Sequence, residues 1–202
     1  MRQFIIEMGS GNTCRNDIGI VREMIDAVAG VDSGKHDVIL KWQLFESAPP
    51  NEPLLWRTFA YAYGYAWERG FCTTASVFDR RSLLFLRRFE IPFIKIANRP
   101  NLRYLTCEDV PYYVSYSGSG LISCVDVAMA CVSEYPADIR TYQERFTGDE
   151  LRWAVSDHTV GWDLYHLYNP KVIEKHFVLK HDSDNPDGGP FAVTPAQLAE
   201  VL

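Results

Sequence analysis

The chain has 202 residues, 47% of them hydrophobic and 23% charged, and a net charge of −6. That length suits one domain with a sizeable core better than two. An acidic chain is a poor partner for nucleic acid or an anionic membrane, so any bound anion must be held by a few locally placed cations and backbone N–H groups.

Phe4 to Met8 reads as a first strand, and Asp17 to Ala29 as a helix whose apolar residues Ile18, Val21, Met24, Ile25 and Val28 fall at helical spacing. Val38 to Leu44 is a second strand and Leu54 to Arg69 a second helix. Phe71 to Thr73 is a brief third strand, followed by a helix near Arg80 to Arg88. Phe93 to Ala97, Tyr112 to Ser115 and Val125 to Val132 are the next strands, and Ile139 to Phe146 is helical. Trp153 to Ser156 and Val172 to His176 complete the set. Thr194 and Pro195 then open a last helix, as N-cap and first helical residue.

Strands alternating with helices imply parallel strands with right-handed crossovers. Eight of them predict a closed TIM-type (β/α)8 barrel, an α/β fold, as a single domain over residues 1–202. A barrel of this kind usually takes about 250 residues. The segments Tyr116 to Cys124 and Gly161 to Lys171 are too short for full helices, so several outer helices are expected to be shortened or missing. Bare strand backs of that kind are uncommon on monomers, which predicts a homo-oligomer, a dimer in the simplest case.

Met1 to Glu7 lacks the apolar run of a signal peptide, and no segment has the length of a membrane span. The five cysteines, Cys14, Cys72, Cys107, Cys124 and Cys131, are odd in number and include no CxxC pair. Reduced, mostly structural thiols in a cytoplasmic protein are the expectation.

Barrel chemistry sits at the carboxyl ends of strands. Glu7, Lys41, Gln43, Lys95, Asn98, Ser115, Ser133, Tyr135, Ser156, His158 and His176 each end or follow an apolar run. Lys41 and Lys95 are flanked by apolar residues on both sides. A single such lysine is read as a stem along the barrel with its head in water. Two in one barrel point to a site for a phosphate or carboxylate. His158 and His176 end consecutive strands, and a pair of imidazoles with water and substrate oxygens suits a divalent transition metal. Taken alone, each is read as a hydrogen-bonded structural residue. None of the serines lies in a G-x-S-x-G elbow, so serine hydrolase chemistry is not expected. Asp187, in Asn185-Pro186-Asp187-Gly188-Gly189, is either a turn residue or a carboxylate brought over the mouth.

The sequence resembles the N-acetylneuraminate (sialic acid) synthase family. The blocks that carry the resemblance are Phe4-Ile5-Ile6-Glu7-Met8-Gly9, Leu40-Lys41-Trp42-Gln43, Ile94-Lys95-Ile96-Ala97 and Cys131-Val132-Ser133-Glu134-Tyr135-Pro136. Ser156-Asp157-His158-Thr159 with Gly161, Val172-Ile173-Glu174-Lys175-His176-Phe177 and Asn185-Pro186-Asp187 follow in order. The resemblance implies condensation of phosphoenolpyruvate with an N-acetylhexosamine such as N-acetylmannosamine, with release of phosphate and help from Mn or Mg. It implies that His158 and His176 hold the metal. Lys41, Lys95, Ser115, Ser133 and Ser156 would hold phosphoenolpyruvate, and Asn98, which stands where the family usually has a serine, could still donate to its phosphate. Gln43, Tyr135 and Asp187 would contact the amino sugar, and Glu7 would manage protons. The chain departs from the family pattern after Ala97, where a serine and an acidic residue are usual and Asn98-Arg99-Pro100 stands instead. It also stops short of the family's antifreeze-like domain, which is not expected here. A non-catalytic descendant that keeps a metal or anion site for binding or assembly is the second expectation. A related aldolase-type synthase with a phosphorylated acceptor is a third, and the Ser156–Thr159 and Glu174–Phe177 blocks favour the sialic branch over it.

Overall fold

The computed structural model describes residues 1–105, 109–118 and 125–202, with the backbone alone at 103 and 104. Eight parallel strands close into a barrel in sequence order. They are β1 Gln3–Glu7, β2 Asp37–Leu44, β3 Cys72–Val77, β4 Ile94–Ile96, β5 Tyr112–Tyr116, β6 Val127–Cys131, β7 Ala154–Asp157 and β8 Val172–His176. β8 returns to pair with β1, Glu7 opposite His176 on one side and Lys41 on the other. No helix among the described residues is long and apolar enough to cross a membrane.

The helices are α1 Gly11–Cys14, α2 Ile18–Val31, α3 Trp56–Glu68, α4 Arg80–Leu86, α5 Ile139–Arg145, α6 Gly148–Trp153, α7 Asp163–Tyr168 and α8 Pro195–Leu198. α2 starts where Asp17 accepts the N–H groups of Gly19 and Ile20, relieving two of the unpaired donors of a helix start. Val21, Met24, Ile25 and Val28 form its buried stripe against the barrel. α4 is capped by Asp79, and α6 by a Thr147–Glu150 capping box. The outer layer is uneven. α7 has 6 residues, α8 has 4, and a 3-10 turn at Pro100–Leu105 follows β4 in place of a helix. The outward-facing Tyr112 and Val114 of β5 are nevertheless buried, 3% and 2% exposed, so shortening the helices does not strip this strand's back. Cys107, Cys124 and most of the loop after β5 lie outside the described residues.

Several element boundaries differ from those the sequence predicts. β3 runs on through Thr74, Ala75, Ser76 and Val77, past the end at Thr73 expected from the sequence. Trp153 closes α6 and does not start a strand, because the Thr147–Glu150 box commits 148–153 to a helical turn. β6 begins at Val127, two residues later than expected.

Strand alternation sorts the side chains into two sets. Phe4, Ile6, Leu40, Trp42 and Ile173 face out and pack with the helices in the main core. Ile5, Ile39, Phe93, Met129 and Ala154 face in and form an apolar layer inside the barrel. One step further toward the carboxyl ends, the inward positions turn polar.

Candidate active site at the carboxyl ends of the strands

That polar layer is the floor of a cavity of about 780 Å³ at the barrel mouth. Every residue named from the sequence as a candidate lines it: Glu7, Lys41, Gln43, Lys95, Asn98, Ser115, Ser133, Tyr135, Ser156, His158, His176 and Asp187. Parity explains the convergence. Residues two apart on a strand share a face, so Lys41 and Gln43, Ser156 and His158, and Glu174 and His176 all point inward.

Four charges make up the floor. Lys41 Nζ is ion-paired with Glu7 Oε2 and donates to Ser76 Oγ at 2.8 Å. Lys95 Nζ donates to Ser115 Oγ at 2.6 Å. Glu174 lies between the lysines, its Oε2 3.7 Å from each ammonium, while Oε1 accepts from Ser156 Oγ at 2.9 Å. Glu174 Oε2 has no hydrogen-bond donor, although it is buried. Two carboxylates and two ammoniums at 1–4% exposure form a nearly neutral cluster, which is how proteins keep such groups out of water. Burial pushes the Glu174 carboxyl up, but Lys41 and Lys95 outweigh it and hold the group at about 2. Burial lowers Lys95 despite the attraction of Glu174. Burial raises Glu7 against the pull of Lys41.

Glu7 Oε1 accepts the N–H of Gly9 at 2.8 Å. Gly9 has φ +78°, and a Cβ there would overlap Thr13 Oγ1 and lie 3.1 Å from Asp187 Oδ2. The turn after β1 therefore needs glycine for its backbone and for the close approach of the Asp187 loop. Asp187 does come over the mouth: Gln43 Nε2 donates to its Oδ1 at 3.1 Å, and His176 Nδ1 stands 3.3 Å from the same oxygen. Burial raises this carboxyl, but His176 and Gln43 together hold it below the usual range.

His158 Nδ1 lies 2.6 Å from the Val132 carbonyl. A carbonyl only accepts, so Nδ1 carries the proton and Nε2 keeps its lone pair. Burial, and then His176, drive the His158 pKa down to about 3. The two imidazole centroids are 5.4 Å apart, and the Tyr135 ring lies 4.2 Å from that of His158. His176 Nδ1 is buried and only loosely aligned with Asp187. These residues fit a divalent ion: His158 has a carbonyl partner at Nδ1, the usual support for a ligand that binds through its other nitrogen, and the Asp187 carboxylate stands beside Nδ1 of His176. They would supply two protein ligands, since no set of three His, Cys, Asp or Glu side chains converges among the described residues. Water and substrate oxygens would complete the shell.

At the rim, Asn98 Nδ2 donates to Ser133 Oγ at 3.0 Å, tying the ends of β4 and β6. Tyr135 is 53% exposed there.

Several residues of the site went unnamed in the sequence reading. Glu174 was quoted only as part of a block, though its place two residues before His176 puts it on the inward face. Ser76 was hidden by the truncated β3. Tyr142 of α5 donates to the Ser156 carbonyl at 2.6 Å and accepts the N–H of His158 at 3.1 Å, fixing the end of β7. Asp157 and Lys175 alternate with the site residues and face outward. Lys175 Nζ donates to Asp157 Oδ2 at 2.9 Å and to the Thr159 carbonyl at 2.6 Å. Asp157 Oδ1 accepts the Thr159 N–H and hydroxyl, both at 2.7 Å. This pair locks β7 to β8 directly behind the two histidines.

No family model matches the chain. It is similar to N-acetylneuraminate-9-phosphate synthase of Drosophila melanogaster, 28% identical over an alignment of 148 residues that covers 56% of this chain and 38% of that protein. The chain thus spans about two fifths of that curated relative's length. Among solved structures, N-acetylneuraminic acid synthetase from Leptospira borgpetersenii matches with TM-score 0.73 and 18% identity over 98% of this chain and 80% of that one. A spore coat polysaccharide biosynthesis protein E from Chromobacterium violaceum matches with TM-score 0.75 and 20% identity over 99% and 72%. Its Bacillus subtilis counterpart gives 0.73 and 22% over 98% and 65%. The chain resembles the N-acetylneuraminate synthase family in sequence, and it folds as the same closed barrel as the solved synthases.

Proposed function

We propose that the cavity condenses phosphoenolpyruvate with the aldehyde of an N-acetylhexosamine and releases inorganic phosphate. The observation that carries this reading is the convergence of Lys41 and Lys95 on a single carboxylate, Glu174, at the floor of the cavity that His158 and His176 also line. Two ammoniums that share Glu174, with Glu7 as a further counterion on Lys41, can turn to a ligand with two anionic groups. Ser76, Ser115, Ser133 and the Asn98 amide surround them with uncharged donors.

In this reading phosphoenolpyruvate binds at the floor, its phosphate and carboxylate on the lysines and serine hydroxyls. Gln43, Tyr135 and Asp187 orient the sugar above it. His158 and His176 would hold a divalent ion, which would supply Lewis-acid polarisation of the sugar carbonyl. The electron pair of the enol double bond forms the new carbon–carbon bond, and the aldehyde oxygen takes up a proton. Water adds to the cationic carbon that remains and loses a proton. The bond from that carbon to the phosphate oxygen then breaks, giving the keto acid and inorganic phosphate. Glu7, hydrogen-bonded by Gly9 and paired with Lys41, is the carboxylate placed to hold a proton in this exchange. Glu174 keeps both lysines charged before the substrate arrives. Holding the partners in place and stabilising developing charge would supply most of the acceleration.

The test is phosphate release from phosphoenolpyruvate with Mn²⁺ and a panel of aldoses and N-acetylhexosamines. Release with an N-acetylhexosamine, abolished in K41M and K95M, is expected. Tight phosphoenolpyruvate binding with no release for any sugar would favour a non-catalytic binding role.

A further inference from the structure

The mouth extends from the floor lysines to Arg99 at its exposed rim. A second cavity, a groove of about 410 Å³, lies outside it, between α1, the first two turns of α2 and the chain that leaves β8. The condensation makes no use of it. Ile20, Met24 and Leu179 give the groove an apolar bed, and Asn12, Thr13 and Asn185 put amides and a hydroxyl along its walls. Arg15 and Lys180 edge it with two cations. Lys180 has no ion-pair partner among the described residues. Arg15 meets Asp182 only at 4.0 Å, with side chains 75% and 45% exposed. In a chain of net charge −6, two loosely countered cations beside an apolar bed suit a carboxylate on a partly apolar body.

The groove shares a wall with the mouth. Residues 179–192 form a loop whose feet are joined: the Val178 N–H donates to the Val193 carbonyl at 3.0 Å, and the Val193 N–H to the His176 carbonyl at 2.8 Å. Asn185 lines the groove, and the next two residues, Pro186 and Asp187, line the mouth. The Asn185 side chain is the joint between them. Its Oδ1 accepts the Asp187 N–H at 3.0 Å, while its Nδ2 reaches Thr13 Oγ1 only at 3.5 Å, the far limit of a hydrogen bond. A ligand oxygen in the groove offers that Nδ2 a better acceptor. The side chain that turns toward it loosens its hold on the Asp187 N–H. Asp187 stands over the mouth through contacts of 3.1 Å to Gln43 and 3.3 Å to His176, which a small shift of the loop breaks.

We infer that the groove binds a sugar carboxylate, the chemical class of the keto acid that the proposed condensation releases, and that filling it weakens sugar binding at the mouth. The carboxylate pairs with Arg15 and Lys180, the sugar hydroxyls meet Asn12, Thr13 and Asn185, and the C–H face of the ring lies on the apolar bed. The choice of ligand rests on the condensation reading; the groove and its link to Asp187 do not.

The experiment is calorimetric titration of the chain with N-acetylneuraminic acid, phosphoenolpyruvate and Mn²⁺ being held saturating to fill the floor. The methyl ester, which lacks the charge, should bind about tenfold or more weaker than the acid. R15Q and K180M should each weaken the acid by about tenfold and change phosphoenolpyruvate affinity by less than about twofold; either variant carries the test if the other melts below the wild type. With the groove filled, N-acetylmannosamine should bind about fivefold weaker, a loss that levels off as the acid is raised and that R15Q abolishes. The Asp187 amide, followed by hydrogen exchange, should lose protection at the same time, a readout that needs no sugar at the mouth. No binding of the acid, or binding indifferent to both variants, overturns the inference. So does a loss of N-acetylmannosamine affinity that deepens without limit and persists in R15Q, which is competition for the mouth, and so does unchanged exchange at Asp187. Phosphate release is followed in parallel. Its absence refutes condensation while the Arg15-dependent binding still decides the groove, so the two failures are told apart.

Discussion

Replacing Lys175 by Met strips the buried Asp157 carboxylate of its cation. Asp157 is 0% exposed and Lys175 1%, so neither water nor a surface counterion can step in. Asp157 would keep the two donors of Thr159, but Oδ2 would lose its partner, and so would the Thr159 carbonyl. Removing one partner of a buried pair costs about 3–5 kcal/mol. For a chain of this length each kcal/mol lowers the melting temperature by about 2–4 °C, so K175M should melt about 6–20 °C below the wild type. The double variant D157N/K175M discards the charge altogether, and the side-chain amide that replaces the carboxylate still offers its oxygen to Thr159. It should recover most of the loss, within about 1–2 kcal/mol of the wild type. Urea unfolding monitored by tryptophan fluorescence and circular dichroism gives the free energies. A K175M loss under about 1 kcal/mol, or a double variant as unstable as the single, would refute the claim that a desolvated charge pair fastens β7 to β8.

Other outcomes follow from the floor and the mouth. E174Q removes the negative charge that phosphoenolpyruvate must face between the lysines, so calorimetry should show affinity rising by about tenfold or more; weaker binding would mean that Glu174 matters chiefly by keeping Lys41 and Lys95 protonated. Anion binding needs Lys95 protonated, and burial lowers its pKa. Phosphoenolpyruvate affinity, measured against pH, should therefore fall as pH rises, beginning below the ordinary lysine value of about 10.4. H158A and H176A should each weaken Mn²⁺ binding, read from the Mn²⁺ resonance signal, by about 10–100-fold while phosphoenolpyruvate still binds. G9A forces a side chain onto Thr13 at φ +78° and should destabilise the chain by about 1–3 kcal/mol in the same unfolding assay.

The barrel was legible because its strands are short apolar runs spaced by helical patterns, and because most of those runs end in a polar residue. Lys41 and Lys95 stood out because charge inside an apolar run has few explanations. The structure adds the depth order that spacing alone does not contain: lysines at the floor, histidines and Asp187 above, Arg99 at the rim. What stayed hidden had a physical reason in each case. Thr74 and Ser76 break the apolar run that marks a buried strand, since a barrel interior at the reactive end tolerates polar side chains that an ordinary core does not. Glu174 and Lys175 are neighbours in sequence with opposite destinations, one inward to the floor and one outward to Asp157. Only the strand's parity, anchored on His176, separates them. The partner of Glu174 is a pair of lysines from two distant strands, a relation set by barrel closure and invisible to local pattern. Tyr142 acts through its hydroxyl on the backbone of β7 from a helix that precedes it, and nothing in its neighbourhood in the chain marks that role.

The apolar layer of Ile5, Ile39, Phe93, Met129 and Ala154 closes the barrel beneath the charged floor. Among the described residues, that layer makes the cavity a well that opens toward the mouth. Anything held by Lys41 and Lys95 lies beneath whatever rests against Tyr135, Asp187 and Arg99. A molecule bound at the bottom must arrive before its companion and depart after it. The geometry imposes a sequence of arrival and release, which initial-rate and product-inhibition patterns would display as compulsory order.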